Sequence, residues 1–231
     1  CGLVREPLLS APEHGWINLH FSLLPAWRGA APVQRALIAG DSELGATVFQ
    51  LVPALDAGDV HAMRVYPVAD DATADDALAS LAADGAALMA DAVAAIADGT
   101  ARPTAQQGEP THAAKLTLED GLLDWAASAD AVYARYRGVT NEPGAHITFE
   151  GTPLKVRELA RTGETDPLAP GELRGVRDGV LVGTGTQPLL LTRVQPAGKA
   201  AMAAADWFRG LRTAEGAAVR LGAGDAQGVQ R

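Results

Sequence analysis

Cysteine is nearly absent from this 231-residue chain: Cys1 is the only one, which excludes a disulfide scaffold and any paired-cysteine zinc site. It has no His-x-x-x-His spacing, Walker loop or G-x-S-x-G elbow. No apolar run approaches the roughly 20 residues needed to span a bilayer, and no basic-then-apolar leader opens the chain. The expected location is therefore cytoplasmic, with no membrane partner and no metal. Aromatics make up only 5% of residues and positive charge is in deficit, for a net charge of −9. Hydrophobic residues nevertheless reach 48% with 20% charged, which excludes wholesale disorder. Alanine supplies 47 of them. It favours helices but buries little area, so the core must rest on scattered Leu, Val, Ile and Trp.

The deficit of positive charge is uneven. Residues 1–115 carry a net −8, residues 116–231 a net −1, and the stretch 135–220 a net +3. A mildly basic segment on an acidic chain suits a polyanion, although a solvated mixed-charge surface gives the same count.

The first part alternates strand and helix patterns. Trp16–Phe21 reads as a short strand ended by Pro25, 30–39 as a helix stopping at Gly40, and 46–52 and 60–68 as strands around an Asp-Ala-Gly-Asp turn. From Ala74 to Ala97, Leu78, Leu81, Gly85, Leu88, Ala92 and Ile96 recur at helical spacing, one apolar face for a sheet. Strands with covering helices predict an α/β layer with a partly parallel sheet. Residues 98–127 lack periodicity and are the best linker candidate. Beyond a short helix at 128–139, capped by Ser128, the period changes to two. Strands are expected at 145–150, 153–159, 172–176, 180–184 and 189–195, the pattern of a small barrel of oligonucleotide-binding type. A short helix follows at 206–212, and the GAGDAQGVQ tail reads as frayed.

Chemistry concentrates in Asn18-Leu19-His20-Phe21-Ser22-Leu23-Leu24-Pro25. Strand alternation puts Asn18 and His20 on one face. An amide there can donate to a carbonyl oxygen becoming an oxyanion, and an imidazole can move protons near neutral pH. A turn-forming Asn and a merely packed His are the plain alternatives. Asp56, in Leu55-Asp56-Ala57-Gly58-Asp59, is the carboxylate candidate if strands 16–21 and 46–52 are neighbours whose C-terminal loops meet. Asp59 competes with it, and D-A-G-D is also an ordinary turn. Gly183-Thr184-Gly185-Thr186 sits among strands and reads as a turn rather than a phosphate cradle. Trp16, Trp27 and Trp207 read as packing residues.

Taken whole, N-L-H-F-S-L-L-P-A-W-R-G-A-A-P-V-Q followed by L-D-A-G-D-V resembles the folate-dependent formyltransferases. The resemblance implies that Asn18, His20 and Asp56 form the catalytic constellation and that Ser22, Leu23, Leu24 and Pro25 help hold 10-formyltetrahydrofolate, the formyl donor. It also implies a fold: a partial Rossmann-like formyltransferase domain, then a small C-terminal β-barrel resembling oligonucleotide-binding folds. Domains are expected at 1–110 and 128–231, joined by 111–127.

The strings at 28–34, 112–116 with 124–125, and 195–202 resemble the tRNA-formylating members. The implied acceptor is then the amino group of the methionyl moiety on charged initiator tRNA, in translation initiation. Arg28, Lys155, Arg157, Arg193 and Lys199 are the phosphate-contact candidates, with ordinary surface charge as the plain alternative. A monomer is expected. Two other readings are a formyltransferase for a small amine (an amino-sugar nucleotide or glycinamide ribotide) and a non-catalytic tRNA-binding remnant. Family members carry a preceding dinucleotide-fold portion, so the N-terminal part of the catalytic domain is expected to be missing from this sequence.

Overall fold

The structure, a computed structural model, describes residues 4–211 and 219–221. Cys1, Arg212 and the GAGDAQGVQ tail lie outside the described residues. The chain divides into two compact units, 1–37 with 41–116, and 38–40 with 117–231.

The first unit runs β1 (Ile17–His20), β2 (Arg28–Gly29), α1 (Pro32–Ala39), β3 (Glu43–Gln50), β4 (Val60–Pro67), α2 (Ala74–Ala97) and β5 (His112–Ala113). Strands β1, β3 and β4 form one sheet in that order, and every pairing in it is antiparallel. This corrects the expected partly parallel sheet, and the reason lies in the connections. Between β3 and β4 the chain simply turns back, which yields an antiparallel pair without a crossover. Helix α1 packs its Val33, Ala36 and Leu37 against Leu44, at the start of β3, and against the first turns of α2. It therefore caps the end where β1 leaves and β3 enters, instead of carrying the chain back along the sheet.

Alternation sorts the sheet's faces. Ile17, Leu19, Ala46, Val48 and Ala62 pack with Leu88 and Ala92 of α2. Asn18, His20, Thr47 and Phe49 occupy the opposite face, and the register sets Asn18 beside Phe49 and His20 beside Thr47. Helix α2 has the predicted bounds and buries Ala74, Ala77, Leu81, Gly85, Leu88 and Ala92. By length and composition alone it reaches the range of a membrane-crossing helix, with a mean hydropathy of 1.5 over 18 residues. Its alanines raise the hydropathy, while Asp75, Asp76, Asp84 and Asp91 interrupt the run. Residues 98–116 are pinned to the first unit, by a Thr104–Val60 bridge and by parallel pairing of β5 with β2.

The second unit holds α3 (Ala129–Gly138), β6 (His146–Phe149), β7 (Thr152–Arg161), β8 (Leu173–Val176), β9 (Gly179–Val182), β10 (Leu189–Pro196), β11 (Met202–Ala203) and α4 (Ala204–Arg209). The sheet runs β6-β7-β10-β9-β8 with β11 on β10, and all pairings are antiparallel. The period-two stretches thus fold as strands within a few residues of the expected bounds. Trp125, Leu123, Val132, Val139, Ile147, Leu189 and Leu191 are fully buried. Ser128 caps α3 by accepting from the Ala131 N–H at 3.2 Å, and Thr186 Oγ1 accepts from the Ala129 N–H at 3.0 Å. The Gly-Thr-Gly-Thr string is a turn, as read: Thr184 Oγ1 donates to the Gln187 carbonyl at 2.8 Å. Trp207 is buried edge-on against Phe149.

Candidate functional site

Asn18 and His20 share the sheet face away from α2. Asn18 is exposed, while His20 is buried at 6% exposure against Phe49. His20 Nε2 lies 2.8 Å from the carbonyl oxygen of Trp27. A carbonyl can only accept, so Nε2 carries the proton and donates. The nitrogen left to take up a proton is Nδ1, and it faces Asp56 Oδ2 at 3.9 Å.

Asp56 reaches His20 by a route the sequence reading did not foresee. Antiparallel β1 and β3 have their C-terminal ends at opposite ends of the pair, so those loops do not simply meet. Instead, the 51–59 excursion returns across the face that carries Asn18 and His20. Asp56 has φ 46°, in the left-handed region, and its Oδ2 accepts from the Gly29 N–H at 2.8 Å. Asp59 lies elsewhere, opposing the burial that lowers the His61 pKa. Gly29 has φ 127°, and a Cβ there would meet the Ala113 carbonyl oxygen at 2.6 Å, so only glycine brings this N–H to Asp56.

Ser22 to Pro25 form a tight loop rather than an open edge. Ser22 Oγ donates to the Ala26 carbonyl at 2.5 Å, and Thr47 Oγ1 donates to the Ser22 carbonyl at 2.6 Å while accepting from the Leu24 N–H at 3.3 Å. The Leu24–Pro25 peptide is cis. Leu23 lies over Gly45 and, with Phe21, Trp27, Asp41 and Leu44, lines a concavity of about 290 Å³. Trp27 is a packing residue here, its indole N–H donating to Asp41 at 2.9 Å.

The basic candidates separate. Arg28 sits in the first unit, where its guanidinium engages the Gln106 side chain. In the second unit Lys155, Arg157, Arg193 and Lys199 are all exposed. The register aligns His146, Lys155 and Gln195 across three strands, and Gln195 accepts from Arg157 while donating to the Lys199 carbonyl. Lys155 and Arg157 also line a concavity of about 310 Å³ with residues of the 140–145 loop. Arg193 lies opposite Glu158 in the ladder.

One side chain absent from the sequence reading stands against Asp56: Gln106, which donates to the backbone carbonyls of Asp56 and Gly58. It lies in an aperiodic stretch where neither spacing nor charge marks it. Among the described residues, no three His, Cys, Asp or Glu side chains gather as a metal site would need.

Comparison with known proteins matches residues 2–93 to the family described as formyl transferase and residues 115–212 to the formyl transferase C-terminal domain. A methionyl-tRNA formyltransferase of Clavibacter sepedonicus is 53% identical over 92% of this chain and 70% of the relative. One from Leifsonia xyli is 57% identical over 90% and 69%. Among solved structures, HypX from Aquifex aeolicus in complex with tetrahydrofolic acid shares the fold, with TM-score 0.63 and 22% identity over 83% of this chain and 34% of that one. The chain belongs to the formyl transferase family, among its methionyl-tRNA formyltransferases.

Proposed function

We propose that this chain transfers the formyl group of 10-formyltetrahydrofolate to the amino group of the methionyl moiety on charged initiator tRNA, as a cytoplasmic monomer acting in translation initiation. The observation that carries the proposal is the 53% identity to a methionyl-tRNA formyltransferase over nearly the whole chain. The pairing of His20 with Asp56, over the sheet face that also carries Asn18, supports it.

The acceptor amine attacks the formyl carbon, and the carbonyl oxygen becomes an oxyanion. The exposed Asn18 amide donates to that oxygen. His20 takes the amine proton at Nδ1, where Asp56 at 3.9 Å offsets the charge that forms. The carbon–nitrogen bond to the folate then breaks, and the departing folate nitrogen receives the proton from His20. The Ser22–Pro25 loop forms part of the folate pocket. In the domain reading, residues 1–110 hold the chemistry, 111–127 connect, and 128–231 form the oligonucleotide-binding-like barrel, whose Lys155, Arg157, Arg193 and Lys199 meet tRNA phosphates. Arg28 contacts the tRNA from the first domain.

In the full-length protein, His20→Ala lowers the rate of formyl transfer to initiator tRNA by roughly 10²-fold or more. Near-normal transfer by that variant removes His20 from the mechanism. Formylation of an amino-sugar nucleotide or of glycinamide ribotide in preference to the tRNA overturns the acceptor.

A further inference from the structure

We propose that Gln106 is a positioning residue for Asp56, a role resting on the reading of Asp56 as part of the catalytic constellation. A side-chain amide offers two N–H donors and a carbonyl oxygen with two lone pairs, and Gln106 uses all of them. Its Nε2 donates to the carbonyl oxygens of Asp56 at 2.8 Å and Gly58 at 2.9 Å. Its Oε1 accepts from Arg28 Nε at 3.2 Å and Nη2 at 2.5 Å. The partners dictate the orientation of the amide. Backbone carbonyls only accept and a guanidinium only donates, so a flipped amide loses all four bonds.

These bonds close a ring around the turn. Arg28 and Gly29 are the two residues of β2. Arg28 holds Gln106, Gln106 holds the Asp56 backbone, and the Gly29 N–H holds the Asp56 carboxylate at 2.8 Å. Asp56 needs such a grip because its φ of 46° lies where a residue with a side chain is strained. With Gln106 gone, the Gly29 N–H is the one bond of this ring that still holds Asp56 itself. Small misplacements of a catalytic group are costly in rate, which gives this ring a mechanistic consequence beyond stability.

The test is a double-mutant cycle in the full-length protein, read as single-turnover formyl transfer to initiator tRNA with enzyme in excess. Gln106→Glu keeps the side chain's size and its pairing with Arg28, but sets a carboxylate oxygen against two carbonyl oxygens. It lowers the saturating transfer rate about 10- to 100-fold, with little change in the 10-formyltetrahydrofolate concentration that gives half of that rate. In an Asp56→Asn background the same substitution changes the residual rate by less than about twofold, because the two losses run through one group. Gln106→Ala repeats the cycle if the Glu variant does not fold. An equal loss in both backgrounds means that Gln106 serves the fold at large, and an unchanged rate in the native background means that it serves nothing here; either overturns the proposal. Wild-type transfer by Asp56→Asn alone overturns the reading of Asp56, and the role of Gln106 with it.

Discussion

Gly58 lacks a side chain for a steric reason: a Cβ there would sit 1.8 Å from the Gln50 carbonyl oxygen. The turn carrying Asp56 is thus pressed against the end of β3, and its other side is tied through the Gly58 carbonyl to Gln106 at 2.9 Å. Gly58→Ala must push the turn off β3, at about 1–3 kcal/mol of stability as for other overpacked sites. It also moves Asp56 relative to His20. The expected outcome is a formyl-transfer rate lowered more than the melting temperature alone explains, checked by assaying the variant well below its melting point; full activity there would mean that the turn's position does not matter. The sequence marks Asn18, His20 and Asp56 because residue types and motif spacing carry them. Gln106 is invisible in it, since its importance comes from four hydrogen bonds that exist only after residues 98–116 have folded back onto the first unit.

Among the elements, α2 was legible to its end residues because every signal agrees: helical spacing of Leu81, Gly85, Leu88 and Ala92, alanine propensity, and a Thr-x-x-Asp start. Thr73 Oγ accepts from the Asp76 N–H at 3.3 Å, and the Asp76 carboxylate accepts from the Thr73 N–H at 3.0 Å. Thr73→Ala removes one of these bonds and costs about 1 kcal/mol in chemical denaturation near pH 7. The Thr73 hydroxyl and N–H hold the Asp76 carboxyl below the usual carboxylate range, since both donate to its charged form. A lowered folded pKa gives stability that is present above the unfolded value and is lost as pH falls through the folded one. The gap between wild type and Thr73→Ala therefore narrows when denaturation is repeated below about pH 4, and a constant gap would separate the cap from Asp76 ionisation. Strand direction was not legible in the same way. Whether β3 runs with or against β1 depends on where α1 packs, and the apolar pattern of Val33, Ala36 and Leu37 is the same for a crossover helix as for one capping the sheet's end.

At the scale of the whole molecule, a chain of net charge −9 must bind a polyanion through a minority of its surface. Residues 135–220, with a net +3, are the stretch best charged to contribute, beside the contact proposed for Arg28. The phosphate-binding part of such an affinity falls with salt, because each neutralised phosphate releases condensed counterions. Within that stretch the cations are not equivalent. Arg157 already directs Nε and Nη2 to Gln195, and Arg193 faces Glu158 across the ladder, whereas Lys155 is exposed in the line formed with His146 and Gln195. Among the described residues Lys155, like Lys199, takes part in no ion pair, and its side chain has no hydrogen-bond partner to exchange for a phosphate as Arg157 has. Lys155→Ala therefore reduces the slope of log binding constant against log salt by about one and weakens initiator and non-initiator tRNAs alike, as the loss of a phosphate contact should. Fluorescence titration of the full-length protein with both tRNAs across a salt series measures this. An unchanged slope would take Lys155 out of the interface, and a loss confined to the initiator tRNA would make it a reader of sequence or shape instead of charge.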